Sequence, residues 1–257
     1  MPLPADSAAA ERDPRKLRRT AWILVAIMIA GGVLILAAYE KFAIRQSADD
    51  RPAIVHRIRK ERDLRLIRQD GKTAELFDLR GHVFVLNVVS LANPASAERS
   101  LAVMKRLAKT HAGTADFHLV SLVVDPPPAG EVVSTLARTA ELHGMTLPQW
   151  WLGANEAATV RKFIKNELKP STPPYEVDGK VVFDPAIVLI DRNGHLRRAV
   201  VPQKRGGPPF IATFDFDQAA KWDADKLKTN TDLSNEAQLE VLLENTIDTL
   251  LAEPFEN

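Results

Sequence analysis

Residues Phe84 to Leu101 read FVLNVVSLANPASAERSL, and the fold turns on this stretch. Phe84, Val85, Leu86, Val88 and Val89 form an apolar, largely β-branched run with no solvent face, which predicts a central strand covered on both sides. Ser90-Leu91-Ala92-Asn93-Pro94 then breaks the strand. Pro94 stands where a helix can start, because its missing N–H would be an orphan there in any case, and Leu101, Met104, Leu107 and Ala108 follow at helical spacing. A strand that runs into a helix N-terminus is a favourable place for an anion or a thiolate. The chain contains 0 Cys, so this elbow has no thiol to place there.

Upstream, residues 1–19 are Pro, Ala and charge without an apolar period, which predicts a disordered tail. Residues 20–39 (TAWILVAIMIAGGVLILAAY) carry no charge. A run of about twenty apolar residues matches a hydrocarbon layer of about 30 Å, whereas a signal-peptide core is typically about 7–15 residues. The expectation is a retained transmembrane helix; a cleaved signal would need Leu36 at a small-residue position. Arg12, Arg15, Lys16, Arg18 and Arg19 precede the span, which predicts a cytoplasmic N-terminus and a domain on the outer, periplasmic side of an inner membrane. Residues 40–60 read as a basic linker, irregular or helical, and residues 61–257 as one folded domain. With 257 residues, 26% charged and a formal net charge of +1, the chain has no basic excess of the kind a nucleic-acid binder needs.

Along the domain, Leu64 to Ile67, an Asp70-Gly71 turn and Thr73 to Phe77 predict a hairpin. Asp116 to Val124 is a second buried strand that ends at Asp125 and three prolines. Glu131 to His143 has helical spacing and closes on Gly144, a common C′ residue. Leu147 to Leu152, with Trp150 and Trp151, reads as a short strand, and Ala157 to Leu168 as a helix. Val181 to Asp191 reads as a third buried strand, entered through Pro185 and turned by Asn193-Gly194 into Leu196 to Val201. Residues 203–234 are less regular, and Asn235 to Leu251 predicts a final helix with Leu239, Leu242, Leu243 and Ile247 on its docking face. The order is that of an α/β fold with parallel strands in its first half.

Taken together, the chain resembles the thioredoxin superfamily, and within it the membrane-anchored Sco/SenC proteins that help deliver copper to respiratory oxidases. The resemblance is carried by the anchor, Gln69-Asp70-Gly71-Lys72, Asp78 to Val88, Val123-Val124-Asp125-Pro126, Trp150-Trp151, and Ile187 to Asp191 followed by Asn193-Gly194. It covers about residues 62–201 and the last helix, and it makes residues 203–234 an insertion. It implies a thioredoxin-like domain whose family thiolates would fall on Asn93 and Ala97 and whose distal His would fall on Phe183. Pro94 matches the family, and the second cysteine of thioredoxin-like reductases would fall on Ser96. It also implies a cis bond between Asp184 and Pro185, with both residues beside Asn93 and Pro94 in a redox-dead pocket.

Thiolate sulfur is the soft donor that selects Cu(I) and the nucleophile of disulfide exchange, and Asn, Ala and Phe supply neither. Copper transfer through the family site and thiol redox activity are therefore excluded, and no cofactor is expected. Asn93 and Ser96 are expected to cap the helix, the alternative being that they present polar groups to a partner. The expected function is that of a non-catalytic, membrane-anchored accessory or assembly factor for a cytochrome oxidase type complex, with the bilayer and a respiratory complex as partners. The alternative is copper binding through His and Met outside the family site. His143 and Met145 are its candidates, while His82 and His118 lie on other segments. The insertion at 203–234 is either a partner surface or a shield for the sheet edge.

Overall fold

The computed structural model describes residues 14–47, 51–201, 209–227 and 232–255. The chain divides into two units, and they are taken separately.

The first unit holds helix α1, Pro14–Ser47. Its stretch Pro14–Leu36 is long and apolar enough to cross a membrane, and Trp22, Leu24, Ile27, Met28 and Leu34 are exposed on it. The helix begins before and ends after the span read from the sequence. Residues 14–19 are therefore helical, not part of a structureless tail, since Arg and Lys are good helix formers once a neighbouring apolar helix supplies the nucleus. Residues 1–13 lie outside the described residues.

The second unit is a mixed sheet flanked by helices. Strand β1 (Ala53–Arg57) falls inside the expected linker and corrects it: its backbone pairs antiparallel with β10 (His195–Val201). The short Ile54-Val55 pair that makes it a strand was masked by the surrounding basic residues. Then follow β2 (Arg65–Arg68), β3 (Thr73–Glu75), β4 (Val83–Val89), α2 (Glu98–Thr110), β5 (Phe117–Val123), α3 (Val132–His143), β6 (Trp150–Ala154) and α4 (Ala157–Phe163). Strands β7 (Tyr175–Val177), β8 (Lys180–Val182) and β9 (Val188–Ile190) precede β10, and β11 (Phe210–Ala212), α5 (Phe216–Ala224) and α6 (Asn235–Ala252) close the chain.

The strand order is β1-β10-β9-β4-β5-β6-β2-β3, with β11 also paired to β10. Strands β4, β5 and β6 are parallel, and β9 runs antiparallel to β4. All seven residues of β4 are buried, as expected of a strand covered on both faces. A parallel β4-α2-β5 unit, an antiparallel β9-β10 pair beside β4 and a closing helix together make a thioredoxin-like arrangement. Helix α6 packs on β4, β10 and α5, with Leu243, Ile247 and Leu250 fully buried. Leu239 and Leu242 pack on the same core at partial exposure. Arg99–Glu236 and Arg106–Glu240 ion pairs tie α6 to α2.

Three further readings are corrected. Val181 to Asp191 is not one strand: β8 pairs with β7 in a separate hairpin, whose Asp178-Gly179 turn has φ of 50° and 73°. The chain then runs through Asp184-Pro185 before β9 begins. The Asp184–Pro185 bond is trans, and the cis bond among the described residues is Leu147–Pro148. Asp184 accepts from the Ala186 N–H at 2.9 Å and the Ser171 N–H at 2.7 Å, which orients this turn towards the 169–171 loop. The 203–234 region is more regular than expected, since it supplies β11 and α5, and Phe214 bridges to Ile187. Its residues 202–208 and 228–231 lie outside the described residues.

Candidate functional site

The elbow that follows β4 is held by a carboxylate from the neighbouring strand. Because β4 and β5 run parallel with Val89 opposite Val123, Asp125 emerges beside Ser90 at the carboxyl edge of the sheet. Its side chain accepts from Ser90 Oγ at 2.6 Å, from the Leu91 N–H at 2.8 Å and from the Ala92 N–H at 3.0 Å. Ser90 Oγ accepts in turn from the Asn93 N–H at 2.8 Å. Successive amides converging on one carboxylate are the anion-favouring arrangement expected at this place in such a fold, and here the anion belongs to the chain itself.

Asn93 does not cap the helix. Its backbone (φ −135°, ψ 72°) lies outside the usual capping conformation, and its side chain makes no cap hydrogen bond. Its carbonyl accepts from the Ser96 N–H at 3.1 Å and from Ser96 Oγ at 2.6 Å, so Ser96 closes the turn and does not cap a helix with its side-chain oxygen. Pro94 opens a short 3-10 segment, Pro94–Ala97, as its missing N–H allows. Ala97 is buried in the core, whereas Ala92, Asn93, Pro94 and Ala95 are exposed. The surface of the elbow is therefore small and uncharged.

Phe183 is a buried core residue, and Asp184 is buried beside Ser171. Asp184 lines a small cavity of about 30 Å³ together with Val88, Lys169, Ile187, Arg198 and Thr213. Asn93, Pro94, Ser96 and Ala97 are not among its walls, so the cavity at Asp184 is not the shared pocket that the resemblance implied. Copper does not fit the elbow. Asp125 and Ser90 offer oxygen, both are committed to hydrogen bonds, and Phe183 brings no donor, whereas Cu(I) selects sulfur.

Met145 is packed into the core, and its carbonyl accepts from Gln69 Nε2 at 3.4 Å. Burial, and secondarily the charge of Lys105, holds the His143 imidazole below its ordinary value.

Two polar features escaped the sequence reading. Asn87, inside the apolar run, accepts from Ser121 Oγ at 2.7 Å and donates to Ser100 Oγ at 3.4 Å, and Trp150 Nε1 donates to Ser121 Oγ at 3.0 Å. This buried chain links β4, β5, β6 and α2 and satisfies each of its members. The second feature is Glu167, whose side chain is only 4% exposed and lies 2.8 Å from His56 Nε2 and 3.4 Å from Arg62. It stands in a π-helical turn, Ile164–Leu168, on the wall of a polar cleft of about 430 Å³. No local sequence signal marks either feature, because the partners lie on separate elements.

No protein-family model matches the chain, and no curated protein matches it. Solved structures do. A SCO1/SenC family lipoprotein from Bacillus anthracis is 21% identical, with a TM-score of 0.44 over 57% of this chain and 84% of that one. Arabidopsis thaliana ScoI, solved with copper bound, is 13% identical, with a TM-score of 0.47 over 74% of this chain and 98% of that one. Peroxidoxin BcpB from Mycobacterium tuberculosis is 16% identical, with a TM-score of 0.44 over 75% and 94%. Sco-family structures are thus among the solved structures to which the chain is similar.

Proposed function

We propose that this chain is a non-catalytic, membrane-anchored Sco-like protein that acts as an accessory or assembly factor for a cytochrome oxidase type respiratory complex. One observation carries the reading: the strand-elbow-helix scaffold is kept, but its elbow is tied off by Asp125 and carries no thiol. A scaffold without donor or nucleophile at this edge acts by contact. The exposed Ala92 to Ala95 turn is the surface it offers. Helix α1 supports anchoring by its length and apolar character, and the basic residues before the span favour an N-terminus on the cytoplasmic side. The likeness to Sco structures supplies the kind of partner by analogy of fold.

The test is purification of the full-length chain from its native membrane in mild detergent. A haem-bearing oxidase, recognised by its absorption spectrum, is expected to copurify and to be lost when Ala92 and Ala95 are both changed to Arg. Recovery of the chain alone, or retention of the oxidase by that variant, overturns the reading or its surface.

A further inference from the structure

His82 and His118 are 36 residues apart in sequence, and the sheet brings them together at the amino edge of β4 and β5, the end opposite the elbow. Val83 pairs with Phe117, so His82 and His118 flank the first rung of the parallel ladder. Their ring centroids are 4.9 Å apart and the rings are nearly perpendicular, at 86°. Imidazoles that share one tetrahedral ion at bond lengths of about 2.0–2.1 Å have centroids about 5 Å apart, and the observed spacing matches that separation.

The hydrogen bonding supports the same assignment. His118 Nδ1 lies 3.2 Å from the Pro148 carbonyl, an acceptor only, so this nitrogen carries the proton and Nε2 keeps its lone pair. A ring N–H given to a backbone carbonyl is the usual support behind a metal-ligating histidine, fixing its tautomer and its orientation. His82 Nδ1 is buried with no hydrogen-bond partner among the described residues. An unpaired buried nitrogen is costly, and an ion bound by this same nitrogen removes that cost. Neither residue has a place in the elbow, the docking of α6 or the buried Asn87 network.

We infer that His82 and His118 form a binding site for one divalent ion of the Zn²⁺ or Cu²⁺ class. Imidazole suits these ions, whereas Mg²⁺ and Ca²⁺ require oxygen. Asp116 is nearby, but its Oδ2 is engaged by Arg192 at 3.0 Å, and no cluster of three or more His, Asp or Glu is formed among the described residues. Water therefore completes the shell, and the ion exchanges readily. The site is independent of the accessory role, which stands or falls on copurification.

The test is calorimetric titration of the full-length chain, free of any polyhistidine tag, in detergent micelles with ZnCl₂, CuCl₂ and MgCl₂. One Zn²⁺ or Cu²⁺ per chain is expected, with Cu²⁺ the tighter, and no heat from Mg²⁺. His82→Ala and His118→Ala should each weaken binding at least about tenfold, as losing a ligand must exceed the 10–100-fold cost of losing its supporting partner. His143→Ala should leave it unchanged. Substoichiometric Cu²⁺ should also broaden the imidazole NMR signals of His82 and His118 in the wild-type chain, which requires no variant to fold. Absence of binding, binding that survives in both variants, or broadening confined to other histidines overturns the site.

Discussion

Replacing Asp125 by Ala removes one acceptor and strands three donors at once, so its cost can be worked from the contacts. The Ala92 amide is exposed and finds water, contributing little. Ser90 is 4% exposed and its hydroxyl loses a 2.6 Å partner, while the half-buried Leu91 amide loses one at 2.8 Å. A buried donor left without a partner costs about 1–3 kcal/mol, and partial solvation at this edge trims the pair to about 2–4 kcal/mol in total. Asp125→Asn keeps one acceptor oxygen and should lose about half as much. The assay is urea unfolding of the full-length chain in micelles, followed by tryptophan fluorescence, because Trp150 and Trp151 are buried in the domain. With m of about 2 kcal/mol/M, the midpoint of the Ala variant should fall by about 1–2 M. A double-mutant cycle with Ser90→Ala should show coupling of about 0.5–3 kcal/mol. A loss within about 0.5 kcal/mol for Asp125→Ala, the range of an ordinary surface change, would refute the claim that this carboxylate holds the elbow.

Leu243, at 0% exposure beneath α6, should cost about 2–5 kcal/mol as Leu243→Ala in the same assay, whereas a loss within about 0.5 kcal/mol would put the helix on the surface. The His143 imidazole is held below its ordinary value of 6.5, first by burial and then by Lys105, so the unfolded chain binds more protons than the folded one in the window just below 6.5. Its stabilising contribution is therefore full above about 6.5 and is lost as pH falls towards the folded value. His143→Gln should flatten the rise of stability with pH in that window, and an unchanged slope would count against the burial argument.

What the sequence made legible was local. The apolar run of β4, the proline after the elbow, the Asp-Gly hairpin turn and the αL glycine after α3 (φ 70°) are each written within a few neighbouring residues. Periodicity and turn chemistry reach that far. The α6 stripe was legible for the same reason, and its Leu243 and Ile247 are fully buried. The misreading of Val181 to Asp191 has a physical source. An apolar run does not reveal which partner each half takes, and here one half pairs with β7 while the other pairs with β4 and β10. Between them Asp184 spends its oxygens on Ser171 and Ala186, so the run is divided by a turn that Asp-Pro could have signalled.

The site was less legible because its contacts are long-range. Ser90 and Asp125 are 35 residues apart, and only the parallel register of β4 and β5 makes them neighbours. By position, Asn93 stands where the resemblance would put a thiolate, which locates a loss and nothing more. The three-dimensional contacts change the meaning of that loss. The amides of Leu91 and Ala92 remain gathered on one point, and a carboxylate from the next strand meets them. An anion from outside the chain would have to displace Asp125 and would face its charge. The elbow is consequently braced against the chemistry its scaffold could otherwise support, while its backbone stays shaped and exposed from Ala92 to Ala95. An uncharged turn held in one shape by Asp125 is suited to shape recognition, and the proposed accessory role rests on these contacts more than on the missing cysteines.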